Sequence, residues 1–260
     1  MEPTSDAVMQ YRSNAGIIAV AASKGGVGKT TLAVELAAAL GAVAVDLDWD
    51  TGGLSRMWGY DPTAHRTARL LDALETGKAP RPLKAARRPD LVPSHPDLAS
   101  SSIPEVLVTE SLEGLAKTWG STYRYVVVDT HPGANPLTNG AMAAASIVVV
   151  PVVLGGRELD ALEGMLDESS DYRLLLTKLG VLVPMMVPAV PPRRWVERLD
   201  KLAANAGVPV APPVSRYTGI SRRIRRAAVV LEENPGVWVA KAAGEYRAVA
   251  SVVEVLLRGR

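Results

Sequence analysis

The sequence predicts an α/β protein: a mostly parallel twisted sheet with helices on both faces. Three observations carry that expectation. Short runs rich in valine and isoleucine alternate with helical patterns from Ala15 onward, the arrangement of βα units whose sheet is covered on both sides. The first such run leads through a glycine-rich turn into an alanine-rich helix. The chain has 260 residues, 48% of them apolar and 22% charged, enough for one large domain with a well-buried core.

Residues 1–14 are polar and unpatterned and read as a flexible tail, leaving 15–260 as a single domain. Strands are expected at Ile17–Ala21, Ala42–Leu47, Asp90–Val92, Tyr125–Asp129, Ile147–Pro151, Val181–Val187 and Val208–Val210, each a short apolar run. Helices are expected between them. Lys29–Leu40 opens after the glycines, and Ser111–Trp119, Leu137–Ala145, Leu159–Leu175 and Arg194–Ala206 follow in turn. Ser221–Ala228 carries paired arginines, and Lys241–Leu257 has an apolar stripe. Between Thr63 and Pro89 the chain is basic and broken by prolines, and it reads as a helix plus a surface loop.

Composition removes several function classes. There are no cysteines, so disulfides, thiolate zinc sites, cysteine nucleophiles and iron–sulfur clusters are excluded together. The longest apolar runs, such as Ala141 to Leu154, fall short of the roughly 18 residues that cross a membrane, and no signal-peptide pattern opens the chain. A cytoplasmic location follows as the expectation. The net charge is only +2, yet Arg216, Arg222, Arg223, Arg225 and Arg226 fall within eleven residues, and Arg81, Lys84, Arg87 and Arg88 within eight.

The chemistry is concentrated in three segments. Ser23-Lys24-Gly25-Gly26-Val27-Gly28-Lys29-Thr30-Thr31 follows a strand and opens a helix, the context a phosphate-binding loop requires. Its glycines let successive N–H groups converge on phosphate at a helix N-terminus, Lys29 reaches the β- and γ-phosphates, and the Thr30 hydroxyl ligates Mg²⁺. One helix later, Val45-Asp46-Leu47-Asp48-Trp49-Asp50 ends a strand in carboxylates where such strand ends meet a ligand crevice. The third segment, Tyr125 to Thr130, is an apolar strand closed by Asp129, a Walker B pattern that binds Mg²⁺ through water.

Lys24 makes the loop resemble the deviant Walker A pattern K-G-G-x-G-K-[ST] of the ParA/MinD family of P-loop ATPases. The resemblance runs loosely from Gly16 to Leu257, and it is closest to ParA-type partition proteins without an N-terminal helix-turn-helix domain. It implies that ATP with Mg²⁺ drives a sandwich homodimer in which Lys24 crosses to the partner's phosphates. It also implies that Asp48 positions the attacking water, that Asp46 belongs to the metal shell with Thr30 and Asp129, and that Gly25 to Thr31 cradle the nucleotide. Two departures stand out. The family continues its D-x-D segment with Pro-Gln where this chain has Trp49-Asp50, and His131 replaces the first proline of Pro-Pro-Gly. His131 reads as a substitution in a switch loop rather than as a base.

In ParA relatives the ATP-bound dimer holds non-specific DNA, and a ParB-like centromere-binding protein stimulates hydrolysis. Arg216, Arg222, Arg223, Arg225 and Arg226 lie where such proteins contact DNA, which implies a nucleoid-associated switch. Paired arginines around Ile224 suit the bridging of phosphates without reading bases. Two alternatives share the motifs: a MinD- or MipZ-like spatial regulator, and a metabolic P-loop kinase or ligase. The last helix offers little to a membrane, since only Arg258 and Arg260 are basic beyond its stripe of Tyr246, Val249, Val252, Val253, Leu256 and Leu257.

Overall fold

The computed structural model describes residues 14–50, 53–65, 68–167, 180–220, 226 and 228–259. The expected tail, apart from Asn14, lies outside the described residues, as do most of the expected helix Ser221–Ala228 and the end of the expected helix Leu159–Leu175.

Six strands form one sheet: β1 Gly16–Val20, β2 Val43–Asp46, β3 Asp90–Val92, β4 Tyr125–Asp129, β5 Ile147–Val153 and β6 Gly180–Met185. Their order is β3-β2-β4-β1-β5-β6, and every pairing is parallel. The register places Val20 beside Asp129, and Asp46 beside Asp129, so the C-terminal ends of β1, β2 and β4 meet. Because side chains alternate across a strand, Ile17, Ala19, Val126, Val128, Val148 and Val150 enter the core on one face. Ile18, Val20, Val127, Val149, Val181 and Val183 enter the core on the other. Both faces are covered, which is why the strands read as unbroken apolar runs.

The helices are α1 Lys29–Leu40, α2 Leu54–Trp58, α3 Arg69–Thr76, α4 Glu105–Trp119, α5 Pro136–Ala144, α6 Gly156–Leu166, α7 Arg193–Ala206 and α8 Val237–Arg258. Alanine lets α1 bury nearly all round, and left-handed glycines, Gly28 and Gly41, bound it at both ends. Its buried Glu35 accepts hydrogen bonds from the backbone N–H of Val229 (2.9 Å) and Val230 (3.1 Å), tying α1 to the segment that leads into α8. The stripe of α8 is taken up by packing: Tyr246, Val249 and Val253 are buried, and Val252, Leu256 and Leu257 lie against the same core. No helix among the described residues is long and apolar enough to cross a membrane.

Some boundaries differ from expectation. β6 ends at Met185 because Met186 takes a left-handed φ of 54°. The expected strand Val208–Val210 contributes one bridge, Leu182 to Val210, since Pro209 has no N–H to extend the ladder. Helix α4 starts six residues earlier than expected, directly after Pro104. Within Thr63–Pro89 the helix is α3, and the basic loop turns back so that Leu83 pairs antiparallel with Leu91. The short α2 was not expected.

Candidate functional site

The phosphate loop leaves β1 and wraps with positive φ at Gly26 (77°) and Gly28 (96°). A Cβ on Gly28 would be strained there and would sit 3.1 Å from the Met185 side chain, so only glycine suits the position. No side chain caps α1, and the N–H groups of its first turn face the loop, a ready site for an anion. Cross-strand hydrogen bonds hold the loop's base. Ala21 N–H donates to Val149 O (3.1 Å), Gly133 N–H to Ala22 O (3.2 Å), and Leu47 N–H to Asp129 O (2.9 Å).

Lys29 is buried, with 5% of its surface exposed. Burial lowers its ammonium pKa, while Asp129 and Asp48 act to raise it. Asp129 is fully buried, and neither carboxylate oxygen has a hydrogen-bond partner. Burial and then Asp46 push its pKa well up, while the nearby Thr30 hydroxyl, outside hydrogen-bonding geometry, and Lys29 act against this. Two orphaned carboxylate oxygens beside a threonine hydroxyl fit a hard divalent cation, which takes oxygen ligands.

Asp46 and Asp48 have different surroundings. Asp46 has no exposed surface, and its oxygens accept from Asp48 N–H (3.1 Å), Ser55 N–H (2.7 Å) and the Ser55 hydroxyl (2.5 Å). Burial pushes it up to about 7, with the Ser55 bonds opposing. It braces the start of α2, while Ser55 Oγ also accepts from Ser94 N–H (2.9 Å) and so reaches the loop after β3. Asp48 is 9% exposed; burial raises its pKa, and the Asp50 N–H, His131 and Lys29 oppose that. Asp48 is thus the carboxylate with capacity left beside Lys29.

Lys24 is half-exposed, 3.7 Å from Glu158 at the start of α6. Trp49 and His131, two residues that depart from the family pattern, stack face to face with ring centres 4.0 Å apart.

A cavity of about 400 Å³ opens beside the phosphate loop, lined by Gly28, Thr31, Met185, Met186, Arg216 and Tyr217 among others, a size suited to a small-molecule group. Its rim is held by Glu245 of α8, which accepts from Ser215 N–H (2.7 Å) and the Ser215 hydroxyl (2.8 Å). Sequence reasoning assigned Gly28 and Thr31 to the nucleotide and Arg216 to DNA, and left Met185, Met186, Tyr217 and Glu245 unassigned. The usable signal was that the cavity lies past the C-terminal end of β6, on the side of the sheet where ligands bind in this architecture. Glu158 and Ser55 were missed too, because their roles depend on partners distant in the chain.

The expected DNA-contacting arginines are only partly placed. Arg216 is exposed and lines the cavity. Arg226 is exposed and shares a cleft with Arg88, Trp58 and Glu35. Arg87 O accepts from Ala228 N–H (3.0 Å), so the two basic stretches meet in space. Arg222, Arg223 and Arg225 lie outside the described residues.

A parallel sheet, a glycine-rich loop at a helix N-terminus, a buried lysine and an orphaned aspartate define a P-loop nucleotide-binding protein. An AAA domain family model matches residues 15–173. The chain is 33% identical over 180 residues to the chromosome-partitioning ATPase Soj of Thermus thermophilus, covering 65% of this chain and 68% of that protein. It is 34% identical over 165 residues to the chromosome partitioning protein ParA of Caulobacter vibrioides, covering 57% of this chain and 59% of that one. An ATP complex of Cyanothece McdA superposes with a TM-score of 0.72 at 16% identity, over 94% of this chain and 97% of that one. The chain belongs to the ParA/MinD family of P-loop ATPases, within its ParA/Soj partition group.

Proposed function

We propose that the chain is an ATP-switched partition protein: Mg-ATP closes two copies into a sandwich, the dimer binds DNA without sequence preference, and hydrolysis releases it. The observation that carries this reading is the convergence of buried Lys29, orphaned Asp129 and Asp48 at the phosphate loop, with Lys24 at its edge.

The proposed roles are these. Backbone N–H groups of Gly25 to Thr31 hold the phosphates, and Lys29 supplies fixed positive charge next to them. Thr30 and Asp129 would hold Mg²⁺, with Asp46 bracing from behind; when bound, the ion neutralises charge on the phosphate oxygens. Asp48 accepts a hydrogen bond from the water that attacks the γ-phosphorus. The new bond joins water oxygen to phosphorus, the bond from phosphorus to the ADP oxygen breaks, and the water proton passes to Asp48 or to phosphate. The cavity beside Thr31 takes the base. Lys24 serves the partner copy's phosphates, and a ParB-like partner stimulates turnover. The protein is then cytoplasmic and nucleoid-associated.

Arg216 and Arg226, with Arg222, Arg223 and Arg225 between them, supply the charge for DNA. The test is binding to an arbitrary duplex with ATP, with ADP and with neither, at two salt concentrations. Salt-sensitive binding with ATP alone is expected, and replacing Arg222, Arg223, Arg225 and Arg226 lowers the salt slope by about 1 for each phosphate no longer neutralised. Absence of binding in every state would overturn the DNA assignment.

A further inference from the structure

The residues by which this chain departs from the family's pattern form one contact. Trp49 follows Asp48 directly, and its indole lies on the His131 imidazole with ring centres 4.0 Å apart and planes only 4° from parallel. Asp50 Oδ2 sits 3.4 Å from His131 Nε2. Asp50 N–H donates to Asp48 Oδ1 (3.1 Å), closing a small turn, so the Trp49 ring and the Asp50 carboxylate are carried by the same few atoms that aim Asp48.

The other side of the contact is equally fixed. His131 stands two residues after Asp129, its Nδ1 lies 2.9 Å from Pro132 O, and its own carbonyl accepts from the Thr138 hydroxyl (2.9 Å) in the first turn of α5. The loop after β2 and the loop after β4 are therefore joined by side chains on top of the strand pairing beneath them. A proline at 131 would offer Trp49 no aromatic face and Asp50 no imidazole nitrogen.

We propose that Trp49 and His131 are positioning residues that latch the two loops together and set where Asp48 meets water, so that turnover in this chain depends on their stack. The proposal rests on the hydrolytic role given to Asp48 above. Neither residue touches the reacting atoms. Both act through the Asp48 turn, and the face-to-face contact carries the effect while the exposed Asp50 pair adds little.

The test is steady-state ATP hydrolysis by the full chain with Mg²⁺, for the wild type, Lys29→Ala, His131→Ala, His131→Phe, Trp49→Ala and the Trp49→Ala/His131→Ala double variant. His131→Ala and Trp49→Ala are expected to lower kcat by about 10- to 100-fold, with KM for ATP within about twofold, because misplacement of the water-bearing group is felt in the chemical step. His131→Phe restores most of kcat because it keeps a stacking face. The double variant is no worse than either single one, as expected for two residues acting as one unit. Emission from Trp49, taken as the difference from Trp49→Phe, changes in His131→Ala and returns in His131→Phe.

Variants that match the wild type in kcat, or a His131→Phe no better than His131→Ala, would overturn the latch. A wild type that hydrolyses no faster than Lys29→Ala would instead overturn the hydrolytic reading, and the latch would fall with it. Unchanged KM and melting temperature separate loss of positioning from loss of fold.

Discussion

The contact between Lys24 and Glu158 places the family's signature lysine in a bond within its own chain. Both side chains are partly exposed, at 40% and 32%, and such a pair contributes little to stability. On the proposed sandwich its importance is competitive: Lys24 cannot hold Glu158 and a second copy's phosphates at once. Glu158→Gln should therefore raise the fraction of ATP-dependent dimer at a given concentration, and Lys24→Ala should abolish it; light scattering with and without ATP checks both. Identical dimer fractions in all three proteins would remove Lys24 from the interface. At this scale the sequence disclosed residues whose neighbours are close in the chain. The phosphate loop and Asp129 were legible because strand, glycines and acid follow a fixed local order. The resemblance already separated Asp48, for water, from Asp46, for the metal shell; what was not legible was the capture of Asp46 by Ser55, nine residues on, which no local pattern announces.

Helix packing gives two substitutions of the same kind with opposite signs. Gly140 of α5 lies against α4, where a Cβ would come 2.6 Å from Val108 Cβ and 2.7 Å from Glu105 O. Backbone cannot yield cheaply there, so Gly140→Ala should destabilise by about 1–3 kcal/mol through overpacking, more than the helix propensity alanine returns. Gly114, in the middle of α4, faces open space, and Gly114→Ala should stabilise by up to about 1 kcal/mol. Urea unfolding of the two variants measures both; equal effects would show that the helices do not pack as described. The same contrast explains what could be read of the elements. Lys29–Leu40, Asp90–Val92 and Tyr125–Asp129 were found to the residue because punctuation by glycine, proline or acid coincides with the end of the apolar pattern. Leu54–Trp58, with five residues, is too short to show a helical period, and the start of α4 was hidden because Glu105 to Glu110 is half polar.

For the molecule as a whole, Asp46 and Asp48 both act to raise the pKa of Asp129, and Lys29 stands near enough to Asp129 and Asp48 to oppose this. A divalent cation relieves that conflict, so nucleotide and metal should stabilise the fold together. At a hundredfold excess over Kd, Mg-ATP adds about 2.7 kcal/mol, which for a chain of this size is a rise of roughly 5–10 °C in Tm. The shift should shrink when EDTA removes the metal and vanish in Gly28→Ala; a full shift in EDTA would contradict the metal role of Asp129. The sheet order was predicted only as mostly parallel. Which strands lie side by side depends on crossovers that no local pattern encodes.

Glu35 gives the molecule a short, stiff lever. Helix α1 begins at the phosphate loop, and two turns later, about 10 Å along its axis, its carboxylate grips the chain just after Arg226. The helix between these two points also packs on the sheet, through Leu32, Ala33, Leu36 and Ala37, so the loop and the grip share one rigid support. The phosphate loop and the segment that follows Arg226 are thus two ends of one rod.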